Sequence, residues 1–302
     1  MTNIPLVLLL GLVSTIQTHL AKALERQGIE VFEQLKAKLQ KTGAPVEGGL
    51  KKPVIYTVGL ILNNTLFVWS ILAQPYGPPA LFTSVFGMGL VFLMGYAAWV
   101  LKEKITRREL VGAGFIVTGT LVIGFENVIR PEWDRFTMDL SALLVALSIW
   151  LVLNLILVVA ASRSHDLRLV ALAFGLLAGG LGSLDPFFKG VGQNYGGHSE
   201  ILPANKIGAI FFTSSFVIGF LAFVVTQVGF ARKVPASLLV PVYNAAFIGL
   251  PVIWQAVLLP EGRTTGISVT GILLILVGVI GMQFRVRGNT QELPHAKSRS
   301  SL

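Results

Sequence analysis

The few residues of this chain that could do chemistry lie inside long apolar segments. Asp185 follows a glycine-rich apolar stretch and precedes Pro186, and Lys189 stands four residues after it. Residues four apart share one face of a helix, so this aspartate and lysine either pair with each other or form a site for a cation or a proton. Because a charge inside hydrocarbon is costly, Asp185 is a candidate gate or coupling site.

A second group of candidates consists of amides, a tyrosine and a histidine in the same kind of segment. Asn63 and Asn64 are adjacent, and adjacent helical residues point about 100° apart, so at most one of them faces a central path. His19 either titrates near neutral pH or lies at the membrane interface. The amides also suit ordinary hydrogen bonds between helices. We predict that a central cavity is lined by Asn63, Asn64, Gln227, Tyr243 and Asn244.

Several kinds of chemistry have no residues to support them in the sequence. The chain contains no cysteine, which excludes disulfides, thiolate metal sites and cysteine nucleophiles. It also lacks a phosphate-binding glycine loop, a paired carboxylate, a histidine cluster and a convincing nucleophile site. We therefore expect neither an enzyme nor a cofactor, and the sequence assigns no metal.

The elements that must position these residues are membrane-spanning helices. Hydrophobic residues make up 53% of the chain and charged residues 13%, whereas soluble domains carry about 25% charged residues. The apolar runs approach the roughly 20 residues that cross a bilayer, and lipid leaves backbone amides unsatisfied unless they form helices. The predicted fold is an all-α polytopic membrane protein with about nine spans. We place them at roughly 4–22, 53–74, 80–101, 110–126, 140–162, 167–188, 207–230, 236–258 and 267–284.

The positive charges predict the orientation of these spans. Numbering the loops alternately places 19 of the 24 Lys and Arg residues on one side and 5 on the other. Since Lys and Arg accumulate in cytoplasmic loops, the N-terminus is expected outside and the C-terminus in the cytoplasm, with the plasma membrane as the expected location. The net charge of +9 is then a signal of topology, and no nucleic-acid partner is expected.

Three segments are interpreted separately from the spans. The first span has no basic residue before it and no obvious cleavage site, so we expect a retained helix and not a signal peptide. Residues 23–50 form either an amphipathic helix on the cytoplasmic surface or a solvated linker helix. Residues 287–302 are polar and expected to be disordered. This leaves one transmembrane domain over residues 1–286.

The chain also contains a weak internal repeat. Gly112 and Gly119 in the fourth span have the same spacing as Gly271 and Gly278 in the ninth. Each pair shares a helix face, which favours close helix packing. The repeat units cover roughly 4–126 and 167–284, joined by the fifth span at 140–162. Four spans plus one connecting span force the units into opposite orientations, and such inverted repeats are typical of secondary transporters.

Several stretches of the sequence resemble a known family. The stretch from Tyr76 through Leu101, the glycine-rich stretch from Gly112 to Gly124, and their second-half partners from Val234 through Gly281 resemble EamA-like domains of the drug/metabolite transporter superfamily. The resemblance implies a transporter fold with a central binding site.

Within that superfamily, the NIPA-type magnesium transporters are the most similar branch. The similarity comprises nine spans, a long first cytoplasmic loop, Gly182-Ser183 ahead of Lys189, Gln227, and the stretch from Ala236 to Tyr243. One region departs from it, because residues 59–67 contain no acid where the magnesium branch carries a Gly-Glu pair. Since magnesium prefers oxygen ligands that include carboxylates, the departure weakens the inference of magnesium but not of the fold.

These observations lead to one main functional hypothesis and two alternatives. The main one is a secondary transporter or permease that moves a small solute or cation by alternating access. The alternatives are a NIPA-type transporter of magnesium or another divalent cation, and a non-transporting scaffold or partner subunit of the same fold. A continuous polar path through the helices favours transport, whereas a sealed apolar centre favours a scaffold. The expected partners are the solute or cation, the lipid bilayer and a second copy in a homodimer.

Overall fold

The computed structural model describes residues 3–28, 51–100, 105–129, 140–164, 166–195, 200–258 and 265–283. Within these ranges every regular element is a helix, so the predicted all-helical class is confirmed. Residues 29–50 of the predicted amphipathic segment and the predicted disordered tail at 287–302 lie outside them.

Eleven α-helices follow one another along the described parts of the chain, with a short 3-10 helix at Gln74–Tyr76. They are α1 (Ile4–Gly28), α2 (Lys51–Asn64), α3 (Phe67–Ala73), α4 (Pro79–Thr83), α5 (Phe86–Trp99), α6 (Arg107–Ile129), α7 (Leu140–Ser162), α8 (Leu167–Asn194), α9 (Lys206–Ala231), α10 (Ala236–Leu258) and α11 (Gly266–Gln283). We call α1–α6 the first half and α8–α11 the second half.

Seven helical segments are long and apolar enough to cross a membrane, which makes this a multi-pass integral membrane protein. They are Ile4–Glu25, Pro53–Tyr76, Pro79–Tyr96, Arg107–Ile129, Ser141–Ser162, Leu167–Asn194 and Lys206–Ala231. Two shorter apolar helices, Leu238–Trp254 and Gly266–Met282, stand where the eighth and ninth spans were predicted. The described structure therefore supports seven full-length spans and leaves the count of nine as a prediction.

The second predicted span is one helical segment with a break in its middle. The break lies at the turn between α2 and α3, where Thr65 Oγ1 donates hydrogen bonds to the carbonyl oxygens of Ile61 and Leu62. Gln17 Nε2 also donates to the Leu62 oxygen, at 2.8 Å. Side chains that bond to nearby carbonyl groups compete with the helical ladder. A run of polar residues within the span therefore interrupts the helix.

The helices α7 and α8, which follow each other in the sequence, face different surroundings. α7 exposes large apolar side chains such as Leu144, Val145 and Ile156, each more than 60% exposed, as expected for a helix surrounded by lipid. α8 is largely buried among its neighbours. It also continues through Pro186 to Asn194, beyond the predicted end at residue 188. A proline removes one helical hydrogen bond, and here the helix tolerates that loss.

Four glycines bring α6 and α11 into direct backbone contact. A Cβ added at Gly112 would lie 2.8 Å from the Gly278 carbonyl oxygen, and a Cβ at Gly278 would lie 2.5 Å from that of Gly112. Gly119 and Gly271 stand in the same relation, at 2.5 Å and 2.8 Å. Only residues without a side chain allow helices to approach so closely. These helices join the two halves on one side of the molecule.

Candidate functional site

Hydrogen bonds define two opposite ends of the helix bundle. Asn3 N donates to the Tyr76 oxygen at 2.9 Å, and Asn194 Nδ2 donates to the Gln74 oxygen at 3.3 Å. The start of α1, the 3-10 helix and the last turn of α8 are thus together at one end of the molecule, the Gln74 end. Since α1 begins there and α8 finishes there, the two helices run in opposite directions. The last turn of α1, which contains Glu25, marks the opposite end.

A cavity of about 250 Å³ lies between the first and second halves. Its walls come from α1–α5 on one side and α8–α10 on the other. Eight aromatic rings cover much of the wall, and ionisable and polar side chains stand among them. The ionisable and amide groups that line the cavity are Lys22, Glu25, Asn63, Asn64, Asp185, Lys189 and Tyr243.

One face of α1 supplies a line of polar side chains to the cavity wall. Ser14, Thr18, Lys22 and Glu25 follow one another at intervals of three or four residues, all lining the cavity and all less than 5% exposed. Side chains at this spacing stack along one face of a helix. The α1 sequence therefore forms a buried polar stripe.

At the Glu25 end, three side chains connect the two halves. Gln227 Nε2 of α9 donates a hydrogen bond of 2.5 Å to Glu25 Oε2 of α1. Tyr56 of α2 donates from its hydroxyl to Gln227 Oε1 at 3.2 Å. We call Glu25, Tyr56 and Gln227 the Glu25 cluster. Its bonds run between the halves at this end of the cavity.

At the Gln74 end, two side-chain amides of α8 donate hydrogen bonds to the first half. Gln193 Nε2 donates to the carbonyl oxygen of Ile71 at 2.9 Å, and Asn194 Nδ2 donates to that of Gln74. The Gln74 side chain is fully buried, and neither of its polar atoms has a hydrogen-bond partner among the described residues. We call Gln74, Gln193 and Asn194 the Gln74 cluster. Its bonds also run between the halves, at the opposite end.

The Lys22 ammonium lies against an aromatic face within the cavity. Its nitrogen is 2.9 Å from the centroid of the Tyr243 ring. A cation over an aromatic face is attracted by the ring quadrupole. The nitrogen makes no hydrogen bond to any described residue, although an ammonium group has three donors.

His19 lies one helical turn away from Lys22 and is buried completely. Its Nε2 is 2.7 Å from Asn244 Nδ2 of α10, and its Nδ1 is 2.7 Å from the Thr15 carbonyl oxygen. The side chain is therefore enclosed by protein groups. His19 and Asn244 join α1 to α10 behind the cavity wall.

The predicted pairing of Asp185 with Lys189 is confirmed. The Lys189 ammonium forms a salt bridge to Asp185 Oδ1 within one turn of α8. The same ammonium lies 4.7 Å from the centroid of the Phe216 ring in α9. Lys189 is fully buried, whereas a fifth of the Asp185 side chain stays exposed, and both line the cavity. The cavity thus contains a charge-compensated pair toward the Gln74 end.

The two asparagines differ in what they contact. Asn64 is exposed and returns its amide to its own helix, donating from Nδ2 to the Leu60 oxygen at 2.7 Å. Asn63 is half-buried, and both residues border the cavity next to the break between α2 and α3. The broken helix thus exposes both amides at the rim.

The structure brings some of the predicted site residues into one place and puts others around it. Asn63, Asn64, Asp185 and Tyr243 line the cavity. Gln227 bonds to Glu25 at one end, and the other two predicted residues, His19 and Asn244, form the bond behind the wall. The site prediction did not include Lys22 or Glu25, which also line the cavity.

Among the described residues, no three His, Asp or Glu side chains form a group that could hold a metal ion. No protein-family model, curated protein or solved structure matches this chain.

Proposed function

We propose that this protein is a secondary transporter or permease that moves a small solute across a membrane by alternating access. One observation carries the proposal: a cavity lined with charged groups lies between two halves that hydrogen bonds join at each end. Breaking the Glu25 cluster would open the cavity to one side. Breaking the Gln74 cluster would open it to the other.

The proposal includes an inverted repeat of the two halves and nine spans in all. In the predicted repeat, Gly112 corresponds to Gly271 and Gly119 to Gly278. When two equivalent antiparallel helices cross at a two-fold axis, the first glycine of each helix meets the second glycine of the other. The contacts of Gly112 with Gly278 and of Gly119 with Gly271 have this pattern and support the repeat.

A second pair of contacts supports the same relation. A Cβ at Gly11 of α1 would meet the Phe82 oxygen and the Val85 side chain. A Cβ at Gly175 of α8 would meet the Leu239 oxygen and the Val242 side chain. Phe82 and Val85 stand three residues apart, as do Leu239 and Val242. Each half thus packs its first predicted span on its third by the same glycine contact.

Membership of the drug/metabolite transporter superfamily, near the NIPA-type branch, is part of the proposal and rests on the sequence resemblance. The orientation, with the N-terminus outside and the C-terminus in the cytoplasm, rests on the distribution of Lys and Arg. We place the protein in the plasma membrane. In this orientation the Glu25 cluster faces the cytoplasm and the Gln74 cluster faces outward.

Uptake into liposomes that contain the purified full chain tests the proposal. The assay screens labelled organic solutes of each charge class together with magnesium, so the divalent-cation alternative is covered by the same experiment. We expect uptake of at least one solute, and Asp185→Asn should reduce it because the substitution leaves Lys189 without its counter-charge. Lys206→Gln is the matched control, since Lys206 is exposed at the start of α9.

The outcome that contradicts the proposal is equally specific. Absence of uptake for all solutes and for magnesium, in protein shown to be inserted and folded, would favour the non-transporting scaffold. Equal uptake by the wild type and by Asp185→Asn would leave transport standing but remove Asp185 from the path.

A further inference from the structure

The cavity contains two lysines whose surroundings differ in one respect. Lys189 has a carboxylate partner in Asp185, so its charge is neutralised where it stands. Lys22 is 3% exposed, lines the cavity and makes no hydrogen bond to any described residue. A buried charge is stabilised only when charged or hydrogen-bonding groups replace the water it has lost. Lys22 therefore presents unused donors to the cavity.

Glu25, the nearest acid along α1, interacts electrostatically with Lys22 but makes no hydrogen bond to it. One of its carboxylate oxygens accepts the Gln227 amide, and the other makes no hydrogen bond to any described residue. The Tyr243 ring attracts the Lys22 ammonium but accepts no conventional hydrogen bond through its face. An oxygen-bearing anion inside the cavity would supply the missing acceptors.

The wall next to Lys22 suits an apolar group. Tyr243 is stacked on Phe247 with ring centroids 5.7 Å apart, and Phe247 is stacked on Phe86 at 4.4 Å. Three rings thus run from the ammonium across the cavity, and all three line it. Aromatic faces of this kind pack well against flat apolar groups. With a volume of about 250 Å³, the cavity admits a solute smaller than a typical drug.

We propose that the cavity binds a small organic anion, whose carboxylate or phosphate contacts the Lys22 ammonium while its apolar part lies along Tyr243, Phe247 and Phe86. The inference rests on the proposed transport function and names its class of solute. Lys22 acts as the anchor, and the compensated pair Asp185–Lys189 contributes no net charge to the attraction.

Thermal unfolding of the purified full chain in detergent tests this with three matched probes. Phenylacetate carries the anion, phenylacetamide is its neutral counterpart and phenethylamine is a cation of similar shape. Phenyl phosphate and hexanoate extend the anion series, and oleoyl lysophosphatidate tests whether a lipid is the source of the anionic group. At ten times its half-saturating concentration, a bound anion should raise the midpoint temperature by about 3 °C.

The variants separate binding from folding. Lys22→Met keeps the length of the side chain without the charge, and it should fold at least as well as the wild type because an apolar group replaces a buried ion. Its affinity for the anions should fall at least tenfold. Lys22→Gln provides a second uncharged variant, Lys22→Arg should retain binding, and Lys206→Met is the control at an exposed lysine.

The outcomes distinguish this inference from the transport proposal. It is overturned if no anion shifts the midpoint, if the amide or the amine shifts it equally, or if Lys22→Met binds the anions as tightly as the wild type. Uptake of neutral or cationic solutes without any effect of the anions would leave transport intact and remove the inference. Anion binding without uptake of any solute would retain the inference and remove transport. A shift by lysophosphatidate but not by the water-soluble acids would identify a lipid as the bound anion.

Discussion

Gln227 in α9 donates a hydrogen bond of 2.5 Å to Glu25 in α1, and this bond joins the two halves of the protein at one end of its cavity. The two residues are 202 positions apart in the sequence. The Gln74 cluster makes comparable bonds at the opposite end. The two halves are therefore joined at both ends by polar contacts that involve few residues.

Removing the Gln227 amide should loosen the Glu25 end. In Gln227→Leu the Glu25 carboxylate loses its donor while it remains largely shielded by protein. A buried polar group without its partner costs about 1–3 kcal/mol. We expect the midpoint of thermal unfolding to fall, while Thr213→Ala in the same helix serves as the control because Thr213 bonds only within its own helix. An unchanged midpoint in Gln227→Leu would show that the bond contributes nothing to closure.

The glycine contacts between α6 and α11 make a prediction with a control in the same helix. A Cβ at Gly119 would lie 2.5 Å from the Gly271 oxygen, whereas a Cβ at Gly114 meets nothing within 4 Å. Gly119→Ala should therefore destabilise the protein by about 1–3 kcal/mol, as overpacked cores do. Gly114→Ala should be neutral or stabilise it by up to about 1 kcal/mol through helix propensity. Similar unfolding curves for the two variants would argue against a close α6–α11 interface.

The bond between His19 and Asn244 should be important for stability. Asn244→Ala leaves a fully buried imidazole nitrogen without its partner, at a cost of about 1–3 kcal/mol. Asn127→Ala is the comparison, because Asn127 donates to the Ile123 oxygen of its own helix. Thermal unfolding of both variants in the same detergent provides the measurement. Equal losses of stability would mean that the bond between α1 and α10 stabilises the protein no more than a bond within one helix.

The fold was largely predictable from the sequence, because the length and hydropathy of the apolar runs determine membrane helices. The break in the second span was not predicted; polar residues interrupt the helix there, and Gln17 of α1 bonds to the Leu62 carbonyl oxygen from 45 positions away in the sequence. The part of α8 beyond residue 188 was not predicted either, because the helix continues to Asn194 while it is buried among its neighbours.

The site was predictable in part. Asp185, Tyr243 and the asparagines were chosen because polar residues inside apolar runs are costly, and those four line the cavity. Lys22 and Glu25 were overlooked because a lysine and a glutamate near a span end suggest a boundary. The regular spacing from Ser14 through Thr18 to Lys22 and Glu25 was the available signal. Which residue of the second half meets each of them cannot be deduced from spacing, because it depends on how α1, α9 and α10 pack.

The predicted orientation is open to a direct test, since the chain contains no cysteine. Ser162→Cys at the end of α7 and Glu200→Cys before α9 place single thiols at two exposed positions. A membrane-impermeant thiol reagent added to intact cells should label Glu200→Cys, whereas Ser162→Cys should react only after the membrane is permeabilised. The reverse pattern would invert the topology. Labelling of both from outside would contradict an odd number of crossings between them.

A thiol inside the cavity tests whether the cavity is exposed to the two faces of the membrane in turn. Ser70→Cys provides the reporter, because Ser70 lines the cavity, is 4% exposed and makes no hydrogen bond through its hydroxyl to any described residue. The measurement is its rate of reaction with an impermeant thiol reagent applied from each face of the membrane. Adding Glu25→Cys and Gln227→Cys allows a short bifunctional thiol reagent to lock that end before the reporter is labelled.

We expect the Ser70→Cys reporter, before locking, to react with reagent applied from either face of the membrane. Locking the Glu25 end should abolish the reaction from that face and increase its rate from the opposite face, because the molecules held closed at one end spend more time open at the other. An absence of reaction from either face before locking, or an unchanged rate from the opposite face after locking, would contradict alternating access.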